Sequence, residues 1–352
     1  MLKIKLKNKK WKRRDIIMLL ERLEMYLSSG LEINKALQIS EEGLLPKQKI
    51  SIQKLRLSVE SGNSLFSGLE KFVHISKTTS GLIEHGELSG SLSKSLLTAR
   101  LLLEKEDELF KKCTSAMVYP VVIGIFAGLL TIGLVRGVMS QIIPMLKSLH
   151  VQLPLVTKIV IYFSEILTKY GLHLFVGTII ALIISRIILR KYLVIRKFFQ
   201  LLIIKIPIVG RLFYNYYLAV FLHSCGALVE SGLSVKEAYS GTANTIQLIP
   251  LNQFLHDQII KISRGLSLGT VIVHKDIPSY ITALLNAGEA SGTLGLSIIR
   301  AGNILDREID HSLKRLTALI EPIMMVGMGC IVGAIALSIM MPIYNISGAL
   351  QK

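Results

Sequence analysis

Amphipathic helical stretches alternate along this chain with long apolar runs. From Asp15, apolar residues recur on one helical face, and Asp15 itself is placed to cap the helix; the face comprises Ile16, Leu19, Leu20, Leu23 and Leu27. Glycines recur where such stretches end, because only glycine adopts the left-handed conformation at little cost. No segment alternates with a period of two. The pattern predicts polar domains that are bundles of about six short helices.

Three apolar runs are candidates for membrane spans. Residues 117–139 would form a helix of about 35 Å, enough to cross the hydrocarbon core. Residues 319–344 form a second such run, and residues 170–189 a third, which ends in the basic residues expected of a cytoplasmic end. The first and last runs carry GxxxG spacings, which permit close helix packing: Gly124/Gly128, Gly133/Gly137 and Gly329/Gly333.

The chain also contains an internal duplication with an offset of 202 residues. Ser29-Gly30-Leu31 recurs as Ser231-Gly232-Leu233, and each apolar run at 117–139 and 319–344 follows one copy. Further matched pairs are Gly86/Gly288, Glu87/Glu289, Ser89/Ser291, Gly90/Gly292, Leu92/Leu294, Glu106/Glu308 and Pro120/Pro322. A fixed offset over this length indicates a duplicated domain, each copy a helical bundle followed by a span.

The run at 170–189 has no counterpart in the repeat, and the topology requires it. If the first copy is cytoplasmic, the chain must return across the membrane before the second copy can fold on the same side. The fold class predicted is an all-α membrane protein with two homologous cytoplasmic six-helix bundles and three transmembrane helices. The segments are a basic N-terminal arm (1–14), helical domain 1 (15–116), transmembrane helix 1 (117–139), an extracytoplasmic loop (140–169), transmembrane helix 2 (170–189), a basic connector with helical domain 2 (190–318), transmembrane helix 3 (319–344) and a short extracytoplasmic tail (345–352).

Composition supports the membrane class. Of 352 residues, 51% are hydrophobic and only 18% charged, and the net charge is +17. Basic residues concentrate in the polar domains and beside the apolar runs, which fits membrane topology and attraction to anionic lipid better than nucleic-acid binding. Residues 2–14 carry eight basic side chains, and they form either a solvated tail or an arm held near lipid headgroups. No secretory signal is visible, since Glu21, Arg22 and Glu24 interrupt the first apolar stretch.

No catalytic constellation is recognisable. The motifs GxxxxGK[ST] and HExxH are missing. Gly265 to Gly269 (GLSLG) lacks the lysine of a phosphate-binding loop and is interpreted as a helix boundary. His223 is expected to be a satisfied structural histidine, and the three cysteines (Cys113, Cys225 and Cys330) small buried apolar residues. We expect no enzymatic activity, metal or cofactor.

The doubled Gly-Glu motif is the first candidate for a structural or partner-binding role. It comprises Gly86, Glu87 and Gly90 in the first copy, and Gly288, Glu289 and Gly292 in the second. The structural interpretation is a tight turn between helices, with the glutamate favoured near the N-terminus of the next helix. A partner-binding surface is the alternative.

The residues that begin the apolar runs are the second candidate. Pro120 would lie in the first turn of a span, where it could kink or restart the helix. Glu321 precedes Pro322, which suits position N1, so the helix dipole would lower the cost of the charge. Alternatively, Glu321 pairs with a basic residue of a neighbouring span.

Taken together, these motifs resemble the GspF/PilC family, the inner-membrane platform proteins of type II secretion and type IV pilus machines. The matching features are the doubled Ser-Gly-Leu and Gly-Glu motifs, Tyr119-Pro120, Glu321-Pro322, Leu153-Pro154 to Thr157, and Ile206-Pro207-x-x-Gly210. Within the family, the short, lysine- and isoleucine-rich chain is most similar to the ComGB branch, the platform of the competence pseudopilus.

The resemblance implies a non-enzymatic platform in the cell membrane, with both helical domains facing the cytoplasm. Its implied partners are a hexameric assembly ATPase, pilin-like subunits and further copies of itself, and its implied process is DNA uptake. Two other classes of protein are alternatives. A small transporter should have polar residues at mid-bilayer and inverted repeats, whereas these repeats are parallel. A membrane-attached nucleic-acid-binding protein should have a basic stripe with interleaved aromatics, which only residues 3–14 approach.

Overall fold

The computed structural model describes residues 11–134, 137 and 192–350, together with scattered residues between 158 and 189. Regular structure in residues 11–134 and 192–350 is helical throughout, which confirms the predicted all-α class. The first copy contains α1 (Arg13–Ser28), α2 (Ile33–Ser40), α3 (Pro46–Glu60), α4 (Leu65–Phe72), α5 (Lys77–Leu88) and α6 (Leu92–Ala116), followed by α7 (Val118–Leu134). Next come α8 (Leu193–Lys205), α9 (Val209–Glu230), α10 (Val235–Ala243), α11 (Ile249–Ser263), α12 (Leu268–Val271), α13 (Ser279–Ala290) and α14 (Leu294–Leu350).

The helices of the two copies correspond in order, α1 to α9 and so on through α6 to α14. The first copy thus contains six helices, in agreement with the predicted bundle of about six. The offset between the copies is not 202 residues at every turn. The left-handed turns at Gly62 and Gly265 are 203 residues apart, one more than the offset elsewhere. Gly265 ends α11, as expected for a helix boundary rather than a ligand loop.

Helix α1 begins earlier than its apolar pattern indicates. Lys12 is the N-cap residue, so the expectation that Asp15 caps the helix is wrong. Asp15 instead lies in the first turn, and its carboxylate accepts a hydrogen bond of 2.8 Å from Nε2 of Gln48 on α3. A carboxylate is favourable both at the N-cap and within the first turn, so the local sequence pattern cannot tell which of these positions Asp15 occupies.

Residues 11–112 and 200–312 form one compact unit that contains both copies. Helix α5 of the first copy packs against α9 and α10 of the second. The core of the second copy is centred on Phe221 and Tyr239, whose rings meet edge to face with centroids 5.1 Å apart. The sequence Ser234-Val-Lys-Glu237 has the spacing of a capping box, and that box is present at the start of α10. The Ser234 hydroxyl lowers the pKa of Glu237.

The described residues of 113–199 and 313–350 form a second unit. Helix α7 and the later part of α14 belong to it, and both expose apolar side chains. Three helical stretches in the described residues have the length and composition to cross a membrane: 92–133, Val209–Glu230 and 294–338. The first and third include most of the predicted spans at 117–139 and 319–344. Val209–Glu230 is α9, two-thirds of whose most apolar window is buried within the protein.

Several predicted features lie outside the described residues. They are residues 1–10 of the N-terminal arm, nearly all of the loop at 140–169, most of the span at 170–189 with its basic end, and residues 351–352. The motif Leu153-Pro154 to Thr157 lies there too. The chain predicted as a basic connector at 190–205 contains a regular helix, α8.

Candidate functional site

The glutamates of the doubled motif each bind the N-terminus of a helix distant in sequence. The Glu87 carboxylate accepts hydrogen bonds from the backbone N–H groups of Leu65 (2.8 Å) and Phe66 (3.2 Å) at the start of α4. Glu289 accepts one from the N–H of Leu268 (3.1 Å) at the start of α12, and a second from the Ser267 hydroxyl (2.6 Å). Helix N-termini leave backbone N–H groups without partners, so a carboxylate there is strongly favourable.

This geometry corrects the expected role of the glutamates. Glu87 and Glu289 lie in the last turns of α5 and α13, so neither stands at the beginning of the following helix. The sequence pattern could not identify their partners, because the capped helices begin more than twenty residues earlier. The doubled motif is therefore a clamp between the fourth and fifth helices of each copy.

The glycines of the motif have two separate functions. Gly90 and Gly292 have φ of +70° and +71°, and they end α5 and α13 in the left-handed conformation that favours glycine. Gly86 and Gly288 are sites of close helix approach, because a Cβ at either position would overlap the side chain of Ser95 or Ser297. The expected tight helix–helix turn is thus present in both copies.

Pro120 occupies the first turn of α7, as predicted. The long helix is interrupted at Met117, three residues before the proline, and restarts at Val118. Proline lacks an N–H, and its ring crowds the carbonyl group four residues earlier, here that of Ala116. The restart of the helix is therefore the local consequence of this proline.

Glu321 and Pro322 do not begin a helix. Helix α14 runs without interruption from Leu294 to Leu350, so both residues lie in its interior. The expectations that Pro322 is at N1 and that a helix dipole stabilises Glu321 are therefore wrong. The Glu321 side chain is exposed, and within the described residues it forms no ion pair.

Four glycines of the GxxxG spacings have open space beside them in the described part of the chain. A Cβ at Gly124, Gly128, Gly329 or Gly333 would meet no described atom within 4 Å. Close packing of another helix on these faces stays a prediction.

A buried charged cluster joins the two copies, and the sequence pattern did not reveal it. Asp306 of α14 accepts a hydrogen bond of 2.8 Å from Nζ of Lys105 on α6, and it lies 3.1 Å from Nε2 of His223 on α9. Asp306 and His223 are each about 7% exposed. Burial acts to raise the pKa of Asp306, but hydrogen bonds and attraction from His223 and Lys105 hold it below its ordinary value. We call Lys105, His223 and Asp306 the inter-copy latch.

A second inter-copy pair and a matched pair of glutamates lie on α6 and α14, the helices that carry Lys105 and Asp306. Lys112 lies 3.1 Å from Asp310. Glu106 pairs with Arg13 at 3.2 Å, whereas its counterpart Glu308 accepts hydrogen bonds from other residues of the second copy. Burial raises the pKa of Glu106, although Arg13 and His223 oppose the shift. The repeat marked Glu106 and Glu308 as equivalent, but only the fold shows that their surroundings differ.

The expected status of His223 is confirmed, since it is a core residue with a carboxylate partner. Of the three cysteines predicted to be buried, Cys225 agrees with the structure and the other two differ. Cys225 is buried, and burial raises the pKa of its thiol to about 12. Cys113, near the end of α6, is only partly buried. Cys330 is exposed on α14, because a residue in an apolar run that faces lipid need not face the protein interior.

The repeated sequence has a counterpart among known proteins. A family model described as "Type II secretion system (T2SS), protein F" matches residues 19–139 and 221–342, together more than half of the chain. The chain belongs to this family. The two matches begin 202 residues apart, at 19 and 221, in agreement with the duplication. Each match includes most of one helical bundle, one copy of the Gly-Glu motif and the apolar helix that follows. The family and its apolar helices make the chain a multi-pass membrane protein.

Relatives in the T2SS protein F family align along almost the whole chain. A type IV pilus assembly protein PilC of Thermus thermophilus is 30% identical over 344 residues, covering 96% of this chain and 84% of the relative. A PilC of Myxococcus xanthus is 26% identical and covers 96% of this chain and 82% of its own length. A type II secretion system protein F of Aeromonas hydrophila is 25% identical, with 95% and 86% covered.

Proposed function

We propose that this chain is the non-enzymatic membrane platform of a type II secretion or type IV pilus-like machine. In that role it couples a cytoplasmic assembly ATPase to the insertion of pilin-like subunits into a filament. The observation that carries the proposal is membership of the T2SS protein F family across both repeats. The relatives named for type IV pilus assembly and for type II secretion support it.

The inter-copy latch supports a coupling role. Lys105 belongs to the first copy, and Asp306 lies on the helix that carries the last apolar run. Helix α14 contains 57 residues, which corresponds to about 85 Å at 1.5 Å per residue. In this proposal, a force applied to either copy passes through the contact between Lys105 and Asp306 to α14, which enters the membrane.

The topology belongs to the proposal. Both bundles face the cytoplasm, where the ATPase and ATP are available, and a span at 170–189 returns the chain between them. The competence pseudopilus is the machine we favour, because the short chain is similar to the ComGB branch. The implied partners are the ATPase, the pilin-like subunits, the lipid bilayer and further copies of this chain.

The first experiment is a clean deletion in the source organism with complementation by the full chain. We expect pilin-like subunits to be made at normal levels while assembled filaments disappear. Normal filaments in the deletion strain would refute the platform. Loss of natural transformation together with filaments would support the competence machine, whereas intact transformation without filaments would assign the chain to another machine of the same class.

The second experiment tests the latch with a matched pair of variants. Lys105→Met removes the cation that bonds Asp306 of the other copy. Lys111→Met removes a cation that pairs with Asp107 within the same helix, and it serves as the control. We expect Lys105→Met to reduce filament number at wild-type protein levels and Lys111→Met to leave it unchanged. Equal effects of the two variants would argue against coupling through the latch.

A further inference from the structure

The contact between the two copies of the repeat is one-sided. Helix α5 of the first copy packs against α9 and α10 of the second. Its His85 lies over the turn that follows α9, because a Cβ at Gly232 would be 3.2 Å from Nε2 of His85. At the offset of 202 residues, the equivalent pair is Ala287 of α13 and Gly30 after α1. Ala287 is exposed, and a Cβ at Gly30 would meet no described atom within 4 Å.

One surface of the first copy is therefore open, although its counterpart in the second copy is buried. On α9, His223 and Ala227 are 7% and 9% exposed. Their counterparts on α1 are Glu21, whose side chain is 57% exposed, and Met25, which is 50% exposed. We call the surface formed by Glu21 and Met25 of α1 and Glu104 of α6 the α1 face.

The α1 face contains an acidic counterpart of the inter-copy latch. His223 and Asp306 of the latch correspond to Glu21 and Glu104 at the same offset. The carboxylates of Glu21 and Glu104 lie 3.7 Å and 2.9 Å from Nη1 of Arg100, so they share a single cation. Two negative charges around one positive charge attract a second cation.

The second copy carries a cation at the matching position. Lys105, which bonds Asp306 in the latch, corresponds to Arg307 of α14. Arg307 is exposed, and it has no carboxylate within 4 Å among the described residues. We call the surface formed by Ala287 of α13 and Arg307 of α14 the α14 face. The chain thus has one open acidic face and one open basic face, each equivalent to a surface already used between the copies.

Both ion pairs that join the copies recur in the repeat with their charges preserved. Lys105–Asp306 corresponds to Arg307–Glu104, and Lys112–Asp310 corresponds to Lys314–Glu108. The second match is one of sequence alone, because Lys314 lies outside the unit that contains the two copies. In the described part of the chain, neither new pair is formed within one molecule. The preserved charges therefore favour a second contact of the same kind, made between molecules.

We propose that a second molecule of this chain binds head to tail, with its α14 face on the α1 face of the first. Arg307 of one molecule pairs with Glu104 and Glu21 of the next. The two faces are different surfaces of each molecule, so the same contact can repeat from one molecule to another. The inference rests on the proposed function, in which further copies of this chain are partners, and it names the surface that they use.

A second copy fits these faces better than an unrelated protein does. The packing of α5 on α9 and α10 already shows how one copy of the repeat binds another. In the proposed contact, Ala287 lies over the turn at Gly30, as His85 lies over Gly232 within the chain. An unrelated partner would explain neither the match in position nor the match in charge.

The test reverses one charge on each face. Arg307→Glu puts a carboxylate opposite Glu104 of the next molecule, and Glu104→Arg puts a guanidinium opposite Arg307, so each variant repels itself. Self-association of the full chain in a nonionic detergent is measured by sedimentation velocity over a series of protein concentrations. We expect each single variant to raise the apparent dissociation constant about tenfold, because like charges then meet in the interface.

An equimolar mixture of the two variants separates a contact between molecules from one within a molecule. In the mixture, the Arg307→Glu variant's α14 face meets the Glu104→Arg variant's α1 face, and the two unaltered faces meet each other. Every contact then joins opposite charges. We expect the mixture to return to within about threefold of the wild-type dissociation constant. Such recovery also shows that both variants are folded.

The matched controls are Glu60→Arg and Arg264→Glu, which reverse charges outside both faces. Glu60 is 37% exposed and pairs with Arg56 at 2.7 Å, much as Glu104 is 39% exposed and pairs with Arg100 at 2.9 Å. Arg264 is exposed at the end of α11. Each control should change the dissociation constant less than about twofold.

Three outcomes would overturn the proposal. The first is a wild-type chain that stays monomeric. The second is unchanged self-association in both Arg307→Glu and the milder Arg307→Gln, which only removes the charge. The third is recovery in the double variant Arg307→Glu/Glu104→Arg without recovery in the mixture, which would place the pair within one molecule. Filaments are scored separately in the deletion strain, where normal assembly would refute the platform and leave the measured self-association intact.

Discussion

The close approach of α5 and α6 predicts opposite effects for one substitution at two positions of α5. Gly81 and Gly86 both lie within this helix. A Cβ at Gly81 would meet nothing within 4 Å, whereas a Cβ at Gly86 would overlap the Cβ and hydroxyl of Ser95 and lie 3.3 Å from the Ser91 carbonyl oxygen. Gly81→Ala and Gly86→Ala therefore differ only in the space available to the added methyl group.

The magnitudes follow from helix propensity and packing. Alanine in place of glycine within a helix gains up to about 1 kcal/mol, which Gly81→Ala should realise nearly in full. Overpacking costs about 1–3 kcal/mol, and Gly86→Ala belongs at the upper end because the Cβ of Ser95 cannot rotate away. The net change at Gly86 is then a loss of about 2 kcal/mol of unfolding free energy.

The assay is thermal unfolding of the full chain in detergent, followed by circular dichroism at 222 nm. For a folded unit of about this size, 1 kcal/mol corresponds to a shift of about 2–4 °C in melting temperature. Gly81→Ala should therefore raise the melting temperature by about 2–4 °C, and Gly86→Ala should lower it by about 4–8 °C. The equivalent variant Gly288→Ala, opposite Ser297, should behave like Gly86→Ala.

A compensating change tests the cause. Gly86→Ala combined with Ser95→Gly removes the atoms that the new methyl group would overlap, so the double variant should be more stable than Gly86→Ala alone. If Gly86→Ala proved as stable as Gly81→Ala, the inferred helix crossing at Ser95 would be incorrect.

Three further predictions concern the charged residues. Glu87→Gln and Glu289→Gln should each cost about 1–2 kcal/mol, because each removes the charge that caps a helix N-terminus, and the same melting assay checks this. Lys105→Met and Asp306→Asn should be coupled by at least about 1 kcal/mol in a double-mutant cycle, since their 2.8 Å contact is largely buried; additive effects would contradict the latch. The pKa of Glu106 is raised above its ordinary 4.5, so its contribution to stability is greatest below that pH and is lost as pH rises through the folded value. Glu106→Gln should therefore flatten the fall in stability just above pH 4.5, as measured by melting temperatures across that interval, and an unchanged pH profile would contradict the burial of this carboxyl.

Local features of the chain were predictable because they depend on neighbouring residues alone. The six helices of the first copy, the capping box at Ser234 and the left-handed glycines at 90 and 292 all follow from short-range rules. The duplication can also be detected from the sequence, because matching motifs recur at a nearly constant offset of 202 residues. The apolar runs at 117–139 and 319–344, each long enough to cross a bilayer, can be predicted from hydrophobicity alone.

Contacts between distant residues depended on the tertiary structure. The doubled motif draws attention to Glu87, but its partners at Leu65 and Phe66 belong to a helix whose direction the pattern does not specify. The expectation that Glu321 and Pro322 begin a helix is wrong, because proline can either begin a helix or lie within one. Here the helix already formed by the preceding turns continues through both residues. The latch of Lys105, His223 and Asp306 joins three helices, and only the packing of one copy on the other brings these charges together. The sequence thus determined the elements and their repetition, which are short-range, whereas the fold determined which polar groups meet, because that depends on how the helices are oriented.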